Sequence, residues 1–368
     1  MTKLLVNLLP IKTGGGLQNA ISFVSSVNDD GYVYLVNADS KIHKKCISEG
    51  YNYIAIKNNI FSRLLFEIKI RYLFPKNTKC FTYFGPPLVG SIGHFYNING
   101  CAYSNLLHPE IDFWGWCSAL QKLKRKVIDL YRRKMMIMSD EIILETDLLL
   151  NRAKNDHEFC KKKLHVVHMS PSKLVTDDTL FNDNKFKYIE SERYKNILYI
   201  SGAHPNKRLH LLPDIAKKMK DEGIFYRFIL TLPKCDYSDR LFSKFKALGV
   251  SEYYLNVGPI APNEVSSIVF YCYAMVNLAL LESFSNNVVE AWALKKPIIL
   301  PEAEWSLTSC GDAACYVDIS NLDTFVDVLQ ELHIPEVYEK IVNKGNVMLA
   351  KLPSLEEKNN KYLDIINN

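Results

Sequence analysis

Along the chain, short apolar runs rich in β-branched and aromatic residues alternate with stretches whose apolar positions recur at helical spacing. The runs "KLLVNLLP", "YVYLVNA", "YNYIAI", "CFTYFG", "CAYSN", "EIILET" and "LHVVHM" predict strands in the first half. Helices are predicted between them, for example from Leu17 to Asn28 and from Phe61 to Phe74. The second half continues with strands at "NILYIS", "YRFILTL", "YYLNVG", "AMVNLAL" and "PIILP". Its helices are predicted from about Lys207 to Lys220, Tyr237 to Leu248, Asn263 to Tyr271 and Asn287 to Lys296. Strands alternating with amphipathic helices predict parallel α/β units. Between the halves, "SPSKLVTDDTLFNDNKFKYIESERYK" is polar and aperiodic, and it reads as a linker. The expected organisation is an N-terminal domain over 1–169, a linker over 170–195 and a second domain over 196–350. A last helix over 351–368 is expected to pack back on the N-terminal domain. Both domains are expected to be doubly wound parallel sheets, with ligands in a cleft outside the strands' carboxyl ends.

A length of 368 residues is more than one ordinary core supports, which agrees with two domains. With 48% apolar and 23% charged residues the composition is that of a soluble globular protein. The formal charge of +5 is too small to argue for nucleic acid by itself. The nine cysteines are scattered and form no CxxC pair, so they read as reduced thiols in a cytosol. Cys310 and Cys315 in "CGDAAC" are too isolated a pair to argue for a metal. No signal-peptide pattern opens the sequence and no window approaches 18 apolar residues, so a cytoplasmic protein is expected.

Three loops carry candidate chemistry. Gly14, Gly15 and Gly16 follow the first strand and lead into a helix, where glycines let a backbone approach an anion. A dinucleotide fingerprint needs a glycine where Asn19 stands, so that reading is set aside, although Asp39 ends the second strand. In "YISGAHPNKRLHLLPDIAKKM", Lys207 and Arg208 stand at the mouth of a predicted helix. Cations there are disfavoured by up to about 1 kcal/mol, which fits an anion beside them. The third loop is "ESFSNNVVE". One reading is a helix start, with Asn287 and Glu290 at capping-box spacing. The other is a ligand site in which amides of Ser285 to Asn287 meet phosphate oxygens and Glu290 accepts from a ribose diol. Glu282 then lies nearer whatever the phosphate carries.

On these segments the sequence resembles the family 4 glycosyltransferases, retaining enzymes of the GT-B fold with two Rossmann-like domains. Glu282 and Glu290 stand as an E-x7-E pair within "ESFSNNVVEAWALKKPIIL". "SGAHPNKRLHLLPDIA" is similar to the family's glycine-to-lysine donor loop, and "GGGLQNAISFV" to its N-terminal glycine loop. The resemblance implies that Lys207, with Arg208 beside it, binds the diphosphate and stabilises it as leaving group. It implies that Glu290 holds the ribose and Glu282 the sugar hydroxyls, with Phe284, Ser285, Asn286 and Asn287 lining the donor. It also implies that Gly15 and Gly16 approach the phosphate and that the backbone from Gly258 to Ile260 meets the base. His108, after the fifth strand, is implied near the reacting sugar. The family often has Arg directly after the loop glycine, where this chain has Ala203. No D-x-D occurs, so no metal and no cofactor is expected; the nucleotide sugar is a substrate.

From Gln121 to Met138 seven Lys/Arg stand against Asp129 alone, after Phe113, Trp114 and Trp116. "IFSRLLFEIKIRYLFPK" places Phe61, Leu64, Leu65, Ile68 and Tyr72 on one helical face. These read either as ordinary amphipathic helices on a sheet or as a patch for an anionic membrane surface. No recognition motif accompanies the charge, so nucleic acid is not expected as a partner. The reading is a metal-independent glycosyltransferase, peripheral on the inner face of the cytoplasmic membrane. Its expected acceptor is a lipid-linked glycan of a surface polysaccharide such as an O-antigen. An epimerase on the same architecture and a non-catalytic binding partner stand as the alternatives.

Overall fold

The computed structural model describes residues 3–12 and 14–368. The chain divides into two compact units, Met1–His168 with Ser354–Asn368, and Met169–Pro353. In the first unit β1 (Leu4–Asn7), α1 (Gly14–Ser26), β2 (Tyr32–Asn37), α2 (Lys41–Ser48), β3 (Tyr53–Ile56) and α3 (Ile60–Leu73) follow in turn. They are followed by β4 (Lys79–Thr82), β5 (Tyr96–Gly100), α4 (Ala119–Ile137), β6 (Glu141–Leu144), α5 (Asp147–Asn155) and β7 (Lys163–Val166). All the pairings are parallel, in the order β3-β2-β1-β4-β5-β6-β7. The central strands are buried on both faces, as parallel sheets require, which is why they read as apolar runs rather than alternating ones.

The second unit starts with α6 (Lys173–Thr176) and continues through β8 (Lys195–Tyr199), α7 (Leu212–Asp221), β9 (Tyr226–Leu230), α8 (Asp236–Ala247) and β10 (Tyr254–Asn256). Then come α9 (Val265–Phe270), β11 (Ala274–Val276), α10 (Asn286–Ala293), β12 (Ile298–Pro301), α11 (Glu304–Cys310), β13 (Cys315–Val317), α12 (Asp323–Leu332) and α13 (Pro335–Leu349). Its sheet is parallel, in the order β10-β9-β8-β11-β12-β13. The last helix, α14 (Leu355–Asn367), belongs to the first unit, where Tyr362, Ile365 and Ile366 join the core built on β1, β2 and α1. Among the described residues no helix is long and apolar enough to cross a membrane.

Local chemistry explains the departures from the sequence pattern. The fifth strand is "YNING" rather than "CAYSN", because Asn97 and Asn99 find buried partners in Ser91 and Gly85 and so tolerate the interior. Polar α2 carries no apolar period, yet Ser40 caps it by accepting from the His43 amide at 3.1 Å. The stretch read as a linker is folded into the second unit. Its anchors, Phe181 against Phe270 and the buried Phe186 and Ile189, are too sparse to show a period.

Candidate active site

In the second sheet the strand order reverses between β8 and β11, which pair at Ala274 and Ile197. Loops leaving the carboxyl ends of two such strands diverge and open a crevice, the usual ligand position in a parallel sheet. The loop after β8 carries Gly202 to Arg208, and the loop after β11 carries Glu282 to Ser285.

Asn206 ties these loops together. Its Nδ2 donates to the Leu281 carbonyl at 3.0 Å, its Oδ1 accepts from the Leu281 amide at 3.3 Å, and its carbonyl accepts from Leu280 at 2.8 Å. The Tyr199 hydroxyl, at the end of β8, donates to the Lys207 carbonyl and accepts from the Leu278 amide at 2.9 Å. Held this way, Lys207 Nζ forms an ion pair with the Glu282 carboxylate. Both side chains remain about a fifth exposed, 23% and 19%.

Arg208 stands at the helix mouth as expected, and Lys207 lies one residue before it. Pro205 starts a short 3-10 turn, Arg208 takes left-handed backbone (φ 51°), and a second 3-10 turn over Leu209–Leu211 leads straight into α7 at Leu212. The anion beside Lys207 is the Glu282 carboxylate. Left-handed backbone in a non-glycine residue costs on the order of 1–3 kcal/mol, and such strain concentrates at functional sites. Burial lowers the pKa of the Arg208 guanidinium, and both its charge and that of Glu282 reach Tyr199. Arg208 follows Lys207 directly in the same loop, while Ala203 contributes no charge.

The stretch "ESFSNNVVE" is not a capping box. The N-cap of α10 is Ser285, its hydroxyl taken by Asn277 Nδ2 at 2.8 Å, and Glu290 sits too far into the helix to reach back. Asn287 Nδ2 donates instead to the Ile200 carbonyl at 2.9 Å, which joins α10 to the loop after β8. Glu290 is 7% exposed, and its carboxylate has neither a hydrogen bond nor an ion pair among the described residues. Burial alone pushes its carboxyl up to about 7. A buried carboxylate ordinarily has a partner, so this one is equipped to accept hydrogen bonds from a ligand. Phe284 and Asn286 are partly exposed beside it.

Gly258, after β10, has a φ of 77°, so its left-handed turn accounts for the glycine without a ligand. Ile260, two residues on, is partly exposed. Gly202 has ordinary backbone and no atom within 4 Å of where a side chain would begin, so nothing in the fold requires a glycine there.

In the first unit the order reverses between β1 and β4. Gly14 opens α1 with a φ of 72°, Gly15 follows in the first turn, and a methyl at Gly16 would meet only Phe84 at 3.6 Å. The fold accounts for Gly14 but leaves Gly16 free to vary. His108, after β5, is buried, and its Nδ1–H donates to the Ser104 carbonyl at 2.9 Å, which fixes the ring orientation. It borders a pocket of about 300 Å³ with Asn105, Trp114, Lys122, Lys126 and Asp129.

The structure thus brings together Lys207, Arg208, Glu282, Ser285, Asn287 and Glu290 within the second unit. Gly15, Gly16 and His108 belong to the first. Asn206, Tyr199 and Asn277 were missed. Only Asn277 left a signal, a polar residue inside the apolar run "YAMVNLALL".

No family model matches the chain, and no curated protein matches it. Solved structures do. A glycosyltransferase from Rickettsia africae superposes with a TM-score of 0.71 at 13% identity, covering 100% of this chain and 98% of that one. Anabaena HepE in complex with UDP and glucose gives 0.70 at 14% identity, with both chains fully covered. Sucrose-phosphate synthase from Thermosynechococcus elongatus gives 0.73 at 11%, covering 100% and 98%. At such identities the likeness speaks for architecture alone. The chain has the GT-B fold. Within the GT-B frame, the charged residues described above occupy the switch point of the second parallel sheet, and the glycine loop that of the first.

Proposed function

We propose that this protein transfers a sugar from a nucleoside diphosphate sugar to an acceptor hydroxyl. The observation that carries the proposal is Glu290, a buried carboxylate with no partner among the described residues, on the helix that begins beside the Lys207–Glu282 pair. In this reading Glu290 accepts hydrogen bonds from the ribose diol, and the first amides of α10 face the diphosphate. Lys207 turns from Glu282 toward the diphosphate as charge develops on it, with Arg208 alongside. Glu282 is then released to hold the sugar hydroxyls. The bond between the anomeric carbon and the phosphate oxygen breaks, and a bond from that carbon to the acceptor oxygen forms. The acceptor proton leaves with the diphosphate, and the configuration of the sugar is retained. A preorganised donor such as Lys207 is worth on the order of 100-fold or more in rate. The charge is met by side chains and amides, so the reaction is read as metal-independent, and a chelator is expected to leave the rate unchanged.

UDP and glucose, held by the Anabaena relative in fold, make UDP-glucose the first donor to try. The acceptor is read as a lipid-linked glycan of a surface polysaccharide such as an O-antigen, and His108 as a sugar contact in the first unit. The test is nucleotide release from donor sugars by wild type and by Glu282→Ala. Loss of transfer with nucleotide affinity retained supports the assignment. Loss of both together makes Glu282 structural.

A further inference from the structure

We propose that α3 and α4 form one docking surface for an anionic phospholipid membrane. α3 has two apolar faces where a surface helix needs one. Phe66 and Ile70 are buried in the first unit's core, whereas Phe61, Leu64, Leu65, Ile68 and Tyr72 run along the opposite side in solvent. The exposure is not marginal, since Ile60 is 89% and Tyr72 88% accessible. On α4, Met135 and Met136 are buried at the C-terminal end. Leu120, Leu123, Val127 and Leu130 are exposed and recur at i, i+3, i+7 and i+10, a continuous outward stripe. The two helices cover one face of the first sheet: Phe66 and Ile70 pack with Cys80, and Met136 packs with Ile142 and Leu144, while the pairs Cys80–Asn97 and Asn99–Ile142 put Cys80 and Ile142 on the same side. Exposed apolar area of this continuity marks a binding surface rather than ordinary scatter.

Charge identifies the occupant. Of the cations on α4, Lys122, Arg132 and Arg133 are tied to Asp112, Asp129 and Asp156. Lys124, Lys126 and Lys134 are exposed beside the stripe with no carboxylate partner among the described residues, and Lys69 is exposed on α3. A second copy of this chain would bring like charges together. Nucleic acid would use the cations and leave the leucines in water. A bilayer with anionic headgroups takes both, with lysines at the headgroups and Leu, Ile, Phe and Tyr at the acyl boundary. The inference rests on the proposed transfer only for its purpose, bringing the enzyme to a lipid-anchored acceptor. Vesicle binding needs no donor, so it can fail while nucleotide binding stands, and the reverse.

The experiment is co-sedimentation of the full chain with vesicles of phosphatidylcholine, with and without phosphatidylglycerol, at low and high salt. Binding is expected to the anionic vesicles and to weaken with salt. Replacing Lys124, Lys126 and Lys134 together by Gln should cost roughly 100-fold in affinity for them. Leu123→Ser with Leu130→Ser, and separately Leu64→Ser with Ile68→Ser, should release the protein while its melting temperature holds. No binding by wild type overturns the proposal, as does undiminished binding by all three variants. A wild-type dimer that the serine variants convert to monomers would also overturn it, by showing that a second copy covers the face.

Discussion

Two buried ionisable side chains, one in each unit, keep different company. Lys358 on α14 is 2% exposed, and burial draws its pKa down to about 8 against the opposing pull of Glu145. Its Nζ donates to Asn19 Oδ1 at 3.4 Å, so the charge fastens the last helix onto α1. Glu290 on α10 is buried almost as deeply, but neither a countercharge nor a donor within the described protein meets it. A buried charge that the fold answers is part of the fold. One that the fold leaves unanswered costs stability and is kept where a ligand supplies the answer.

The largest effect that sharpens this contrast is expected at Lys207. Lys207→Ala should reduce transfer at least ~100-fold, measured as nucleotide release, because the diphosphate loses its cation and Glu282 its partner. Next come the two buried groups themselves. The Glu290 carboxyl rises from 4.5 to about 7 in the folded protein, which corresponds to ~3 kcal/mol. The native state then holds a proton that the unfolded chain has released, so stability falls as pH rises from about 4.5 to 7. Glu290→Gln should abolish that slope in thermal melts and make the variant the more stable protein above neutrality. Nucleotide binding, which favours the carboxylate as acceptor, should strengthen through the same window in wild type and not in the variant. Lys358→Ala should do the opposite. It removes a hydrogen bond from a buried ammonium to Asn19, with the packing of that side chain, and should lower stability by up to roughly 3 kcal/mol while nucleotide affinity below the melt is unchanged. A loss of nucleotide affinity in Lys358→Ala would break the comparison.

A smaller effect is expected at Asn206, where Asn206→Ala leaves the buried Leu281 amide and carbonyl unpaired. That should cost about 2 kcal/mol in a denaturant melt, with transfer falling as Lys207 loses its register to Glu282. The smallest is at Gly16. A methyl there meets only Phe84 at 3.6 Å, and Ala is favoured over Gly in a helix by up to ~1 kcal/mol, so Gly16→Ala should melt slightly higher. A fall in transfer at that gain in stability would mean that the glycine serves a ligand.

The sequence disclosed the sheets well because parallel strands buried on both faces are unbroken apolar runs. It missed β13, since "CYV" is too short to stand out, and it left α2 without bounds, since that helix rests on a serine cap rather than on periodicity. Of the site, the glycines, Lys207 and the two glutamates were legible from their positions after strands. Their arrangement was not. The pairing of Lys207 with Glu282 depends on Asn206, 75 residues away from Leu281 along the chain. Nothing in "NNVVE" tells a capping glutamate from a buried one until the N-cap is seen to be Ser285.

The most direct test of the central claim is a thermal-shift screen of wild type and Glu290→Ala with UDP, GDP, CDP and dTDP. A nucleotide at 100 times its dissociation constant adds ~2.7 kcal/mol of stability, enough to raise the melting temperature by several degrees. Selective stabilisation of wild type by one nucleotide, lost in the variant, is the result expected of a donor site at α10. No shift with any of the four, or an equal shift in both proteins, would contradict it.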